Sequence, residues 1–252
     1  MLTVKADGEE QPLWCVHPAG GVGWPYFGLE SHIGARPIYA LQSDGLTEAA
    51  VDNTIADVVA RYVERILAVQ NTGPFNLLGW SYGGVIAHAV AVELQMRGHD
   101  VELLALVDSW TADESMLAAA ESDDVQDQVE AAMWSRYESF HLADDPNQTM
   151  ARIAEVSRHS IRLLVDHGPR VFQGDALLIQ AGLSREGHRV HPRALRQHWT
   201  NYIAGVITDR VIPCRHDDFD RDLPMSAVGR AVENWFSTRV AVDAQTIDNE
   251  GR

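Results

Sequence analysis

The stretch Phe75-Asn-Leu-Leu-Gly-Trp-Ser-Tyr-Gly-Gly-Val-Ile-Ala-His-Ala-Val-Ala-Val-Glu-Leu-Gln-Met-Arg97 contains a strand, a reversal and a helix in one run. It opens as a short apolar segment of strand character, becomes a helix former from Gly83, and ends at Gly98. Only Ser81 and Tyr82 lie between the two elements. A reversal this short strains the backbone at its middle residue, and glycines at 79 and 83 remove the Cβ atoms that would collide there. The pattern is G-x-S-x-G with a strand before and a helix after, the setting that lifts a serine hydroxyl above the end of a sheet. The helix start also directs free N–H groups and a partial positive charge toward the place where an oxyanion would form.

Working outward, apolar runs alternate with segments of helical period, the signature of parallel strands joined by crossover helices. Leu13 to His17 reads as a buried strand that runs into the glycine turn Pro18-Ala-Gly-Gly21, and Pro37 to Leu41 as a second strand closed by Ser43-Asp-Gly45. Thr54 and Asp57 form a capping pair ahead of a helix whose apolar face is Ile55, Val58, Val59, Tyr62, Ile66 and Leu67. Val101 to Val107, Ala176 to Gln180 and Val206 to Ile212 supply further strands, and Met225 to Arg239 a closing helix. At least six strands are therefore expected. The segment from Thr111 to about Pro169 breaks the alternation and is read as a helical lid. The expected architecture is α/β, an α/β-hydrolase fold: a mostly parallel central sheet flanked by helices, with a helical lid insertion. Residues 1–239 are expected to form this single domain, with the lid at about 111–169 and residues 240–252 as a disordered tail.

A serine hydroxyl is a weak nucleophile at neutral pH, so it needs a base, and in this fold its partners follow in the order acid, then histidine. Of the eleven histidines, His216 stands after the last strand and before the closing helix, whereas His188, His191 and His198 fall in a polar stretch and are expected at the surface. Asp108 ends the strand after the serine's helix, at the sheet end where ligands gather. The next strand offers no carboxylate before Glu186, Asp175 lies at the wrong end of that strand, and Asp217 and Asp218 are expected to cap the histidine loop. The oxyanion would take one backbone N–H from Tyr82 and a second from Ala19 or Gly20 in the first glycine turn. His17 is expected to pack rather than to transfer protons, and Trp24 and Tyr26 stand either at the pocket or in the core.

Composition narrows the partners. The 252 residues carry a formal charge of −16, which repels nucleic acid and anionic membranes, and no apolar run approaches the ~20 residues of a membrane span. The N-terminus has no basic start followed by an apolar core, and the two cysteines suggest neither a disulfide framework nor a metal site. The expectation is a soluble cytoplasmic protein with no metal. The acidic run Glu121 to Asp124 with Asp127 is read as a solvated helix surface rather than a docking face.

Five segments in order, Pro12 to Gly21, Pro37 to Leu46, Gly79 to Gly84, Leu106 to Trp110 and His216 to Phe219, resemble the thioesterase domains that end nonribosomal peptide synthetases. A tryptophan before Ser81 is more like these type I, chain-terminating domains than stand-alone editing (type II) thioesterases, which tend to carry histidine there. What the resemblance implies is an acyl or peptidyl substrate delivered as a thioester on the phosphopantetheine arm of a peptidyl or acyl carrier protein, upstream in the same synthetase. Release would then follow by hydrolysis or macrocyclisation from a Ser81 acyl-enzyme, with no bound cofactor. A carboxylesterase or lipase of the same fold is the alternative, and a binding protein that lost its chemistry is a further one.

Overall fold

The computed structural model describes residues 1–47, 52–111 and 145–250, and side chains up to residue 239 apart from that of Pro146. Seven strands form one sheet: β1 (Leu2–Lys5), β2 (Leu13–Val16), β3 (Ile38–Leu41), β4 (Phe75–Trp80), β5 (Val101–Val107), β6 (Ala176–Ala181) and β7 (Ile207–Ile212). Their spatial order is β1-β3-β2-β4-β5-β6-β7. All neighbours run parallel except β1, which pairs antiparallel with β3. This is the α/β-hydrolase architecture. β1 is the strand that sequence pattern does not reveal, because four residues at a sheet edge carry too little alternation to be recognised.

Five α-helices flank the sheet among the described residues: α1 (Ile55–Val69), α2 (Tyr82–Met96), α3 (Pro146–Leu163), α4 (Ala194–Trp199) and α5 (Asp222–Glu250). The capping pair ahead of α1 is a reciprocal box, with Asp57 N–H donating to Thr54 Oγ1 and Thr54 N–H to the Asp57 carboxylate, both at 3.1 Å. α2 stops where Gly98 takes φ +83°. The closing helix begins at Asp222 and its backbone continues to Glu250, past the expected end at Arg239. After Gly229 no proline or glycine interrupts the chain until Gly251, so nothing local ends the helix where the apolar periodicity fades.

The sheet is buried on both faces, which is why its strands read as nearly continuous apolar runs. Trp14, Val16, Leu77, Leu104, Leu106 and Leu178 point to one layer with α1 and α2. Leu13, Cys15, Leu78, Leu103, Ala105 and Ile179 point to the other, against α5 and the 3-10 helical segment Trp24–His32. Among the described residues no helix is long and apolar enough to cross a membrane.

Among the described residues two histidines are sealed in this core, His17 at 2 % exposure and His88 at 0 %. Burial pushes each imidazole down from 6.5 to about 4. Between those values the unfolded chain binds protons that the folded chain excludes, so stability falls as pH drops from 6.5 toward 4. Urea denaturation at about pH 7.5 and about pH 5 is expected to show a loss on the order of 2 kcal/mol per histidine. A His88→Gln variant, which keeps a donor toward the Tyr202 carbonyl, is expected to lose part of that pH dependence. An unchanged slope would contradict the burial assignment.

Candidate active site

β4 ends at Trp80 and α2 starts at Tyr82, so Ser81 alone makes the reversal, at φ 58° and ψ −127°. Tight packing forces it. A Cβ on Gly79 would sit 2.0 Å from the Gly83 carbonyl oxygen, and one on Gly83 would sit 2.2 Å from that of Val16. The reversal is tied down by Ser81 N–H donating to Val107 O at 2.9 Å, and by Gly84 N–H donating to Ser81 O at 3.0 Å. Ser109 Oγ adds a second donor to Ser81 O at 2.7 Å, while Ser109 O accepts Trp199 Nε1–H at 2.7 Å.

Asp108 follows β5 immediately and is also at positive φ, 40°, a region that aspartate tolerates better than most residues. Its N–H donates to Ile179 O at 2.6 Å and its Oδ1 accepts Ala181 N–H at 3.0 Å, so β6 fixes the carboxylate. The remaining oxygen, Oδ2, accepts from His216 Nδ1 at 2.8 Å. That bond assigns the ring proton to Nδ1 and leaves the Nε2 lone pair for Ser81 Oγ, 3.1 Å away. The Asp108 side chain is 8 % exposed and that of His216 29 %, so the array is closed behind and open in front. Trp80 covers part of the imidazole, with ring centroids 5.7 Å apart. An imidazole held in this way can take a hydroxyl proton while the carboxylate offsets the charge it acquires.

The residues around this array sort as follows. Asp218 caps the histidine loop by accepting Arg215 N–H at 3.0 Å, and Asp175 accepts Val206 N–H at 2.6 Å at the far end of the sheet. His188 and His191 are exposed. His198, expected at the surface, is instead half-buried: it accepts Thr111 N–H at 3.0 Å and packs on Trp110 and Trp199, because α4 folds back over the end of β5. Tyr26 belongs to the core. Its hydroxyl donates to Val16 O and accepts Trp80 N–H at 3.2 Å, bracing the ends of β2 and β4 on which the candidate loops stand. Neither this brace nor Ser109 has a signal in the sequence.

Tyr82 is the first residue of α2, where an N–H has no acceptor within the helix. Ala19 and Gly20 lie in a turn closed by Gly21 N–H donating to Pro18 O at 2.9 Å. His17 packs beneath this turn, with Nδ1 2.6 Å from Pro18 O, Nε2 2.6 Å from the Tyr62 hydroxyl, and its ring stacked on Tyr82 at 5.8 Å. Of the segment expected as a lid, α3 and the chain after it are described. Residues 112–144, with the acidic run Glu121 to Asp124 and Asp127, lie outside the described residues. α3 rests on the glycine turn through Met150 and Ile153, which cluster with Val22, and His159 Nε2–H donates to Asp52 O at 2.6 Å. A small polar cleft beneath α3 is lined by residues that include His17, Asp52, Arg61, Tyr62, Tyr82 and His159.

Comparison with known proteins places this site in context. Residues 11–226 match the family described as thioesterase domain. Malpibaldin synthetase of Mortierella alpina is 31 % identical over 234 residues, which are 92 % of this chain and 4 % of that protein. A dimodular nonribosomal peptide synthase of Bacillus subtilis (strain 168) is 30 % identical over 257 residues, 92 % of this chain and 11 % of that protein. The chain thus spans a small part of the curated relatives it matches. In fold it is similar to the NocB thioesterase domain from the nocardicin cluster, with a TM-score of 0.72 at 23 % identity, covering 91 % of this chain and 95 % of that one.

The packing around Ser81 is testable by stability alone. Ser109→Ala removes one hydrogen bond to the reversal and is expected to cost about 1 kcal/mol in urea denaturation. Gly83→Ala drives a methyl group into the Val16 carbonyl and is expected to cost roughly 3 kcal/mol or more. Equal, small effects would contradict the close approach of β2 to the head of α2.

Proposed function

The chain belongs to the thioesterase domain family, and on that premise we propose that it releases an acyl or peptidyl chain from a carrier protein through an ester on Ser81. The observation that carries this reading is the relay from Ser81 Oγ through His216 to Asp108, at 3.1 and 2.8 Å, mounted on a positive-φ reversal at the head of α2.

In the proposed reaction Ser81 Oγ attacks the thioester carbonyl while its proton passes to His216 Nε2, and Asp108 holds the imidazolium in place. The tetrahedral oxyanion is bound by the N–H of Tyr82 and by that of Ala19 or Gly20. Collapse breaks the carbon–sulfur bond, and the departing phosphopantetheine thiol takes the proton from His216, leaving the acyl group on Ser81. A second nucleophile, either water or an amine or hydroxyl of the acyl or peptidyl substrate, gives its proton to His216 and attacks the ester carbonyl; collapse then breaks the bond to Ser81 Oγ, which takes the proton back from His216. The products are then a free acid or a ring. The phosphopantetheine arm belongs to the carrier and enters as part of the substrate, so the chain's own side chains and N–H groups supply every proton transfer and charge contact in this scheme. A relative that is itself a dimodular nonribosomal peptide synthase supports a peptidyl or acyl carrier protein as the partner. The same reading takes residues 1–239 as one domain with a helical lid at about 111–169, of which residues 112–144 lie outside the described residues.

Ser81→Ala is expected to abolish labelling by a serine-directed fluorophosphonate, located by mass spectrometry of the labelled peptide. His216→Ala is expected to stay folded and to lower turnover by on the order of 10³ or more, with Asp108→Asn also severely impaired. Labelling retained at another residue in Ser81→Ala would refute the nucleophile assignment. To separate substrate classes, hydrolysis of acyl-pantetheine thioesters is compared with that of matched oxygen esters. The thioesters are expected to react faster, and a strong preference for simple oxygen esters would contradict a carrier-linked substrate.

A further inference from the structure

We propose that His17 and Tyr62 are positioning residues that aim the Ala19 N–H at the oxyanion, an inference that rests on the Ser81 reading above. The argument starts from one peptide plane. The bond between Pro18 and Ala19 is trans, since among the described residues only Gly73–Pro74 is cis. In a trans peptide the C=O and N–H point in opposite directions. Fixing the Pro18 carbonyl therefore fixes the direction of the Ala19 N–H.

Two donors hold that carbonyl, His17 Nδ1–H at 2.6 Å and Gly21 N–H at 2.9 Å. A carbonyl can only accept, so the ring proton of His17 must be on Nδ1. Burial pushes the imidazole down to about 4 and keeps it neutral, so Nε2 can only accept. The Tyr62 hydroxyl, 2.6 Å away, is then the donor. The result is a directional chain from Tyr62 on α1, through His17, to the Pro18 carbonyl. It turns the Ala19 N–H away from the imidazole and out of the turn, which selects Ala19 over Gly20 as the second oxyanion donor.

The same imidazole touches the other half of the oxyanion site. Its ring stacks on Tyr82, whose backbone N–H is the first donor, with centroids 5.8 Å apart and planes 26° from parallel. β2 also approaches the head of α2 so closely that Gly83 has no room for a side chain. One buried ring thus sets the spacing of the two N–H groups that must converge on a single oxygen. Apolar side chains could fill this volume without burying polar atoms, and burying an imidazole and a phenol has a desolvation cost that packing alone does not require. Both polar ends of the imidazole are used, one on the turn and the other on the Tyr62 hydroxyl of α1.

A mispositioned donor weakens binding of the tetrahedral state more than that of the thioester, so the effect belongs in kcat rather than in KM. Tyr62→Phe removes only the hydroxyl, and His17→Gln replaces the ring. We expect kcat per fluorophosphonate-titrated site to fall ~10-fold in Tyr62→Phe and ~100-fold in His17→Gln, with KM for an acyl-pantetheine within about 2-fold of wild type. The affinity for phenylboronic acid, whose adduct with Ser81 is tetrahedral and anionic, is expected to fall in parallel. A merely structural role would lower the melting temperature or the number of titratable sites and leave kcat per site and boronate affinity unchanged, and that result would overturn the proposal. Wild-type protein that neither labels at Ser81 nor turns over thioesters would overturn the parent reading instead. Active wild type with Tyr62→Phe and His17→Gln at wild-type kcat would sink this inference alone.

Discussion

A non-glycine residue held at positive φ between a strand and a helix is the constraint on which the rest of this structure turns. Ser81 at φ 58° stands in a conformation that costs on the order of 1–3 kcal/mol. It persists because its surroundings leave no alternative. The N–H and C=O of Ser81 are both bonded, to Val107, Gly84 and Ser109. Gly79 and Gly83 let the two arms of the reversal close to distances at which a Cβ would overlap backbone oxygen. Hydrogen bonds worth about 1 kcal/mol each are enough to offset strain of this size once the core has fixed both arms. The geometry of the reversal is therefore a property of packing, carried by Val107, Ser109 and the glycines on either side.

Two histidines within this small region stand in opposite environments. His216 is 29 % exposed at its side chain, has a carboxylate behind Nδ1, and presents Nε2 to a hydroxyl. His17 is sealed and neutral, with a carbonyl on Nδ1 and a phenol on Nε2. Burial keeps the second neutral and its two partners give it a fixed tautomer. The tautomer of each ring follows from which partner stands on which nitrogen: both partners of His216 come from distant parts of the chain, whereas His17 pairs with its neighbour Pro18 and with the distant Tyr62.

The sheet explains why so many distant residues converge. Asp108 is set by backbone groups of β6, the serine reversal by the end of β5, and the glycine turn after β2 by Tyr26 reaching across to β4. All of these lie at the carboxyl ends of parallel strands, where open α/β sheets place their ligands. α3 packs beside the same glycine turn, with Met150 and Ile153 against Val22, the residue that follows it.

Much of this was legible in the amino-acid order, because some signals are local. The helical period of α1 and its capping box, the apolar runs of the buried strands, and the G-x-S-x-G reversal each lie within a few consecutive residues. They suffice for the class of fold, and they single out Ser81, Asp108 and His216 as candidates. What they lack is distance. The serine and its imidazole are 135 residues apart, the imidazole and its carboxylate 108, and the His17–Tyr62 pair 45. Local pattern was also too weak for β1, with only four residues, and for the full length of α5, whose apolar face fades before its backbone helix ends. Chain order thus established which chemical groups are present and which elements carry them. Only the tertiary structure decided which imidazole meets the hydroxyl and that the Tyr62 phenol meets the buried ring of His17, because those pairings are set by strand order and side-chain packing, which no local stretch of sequence encodes.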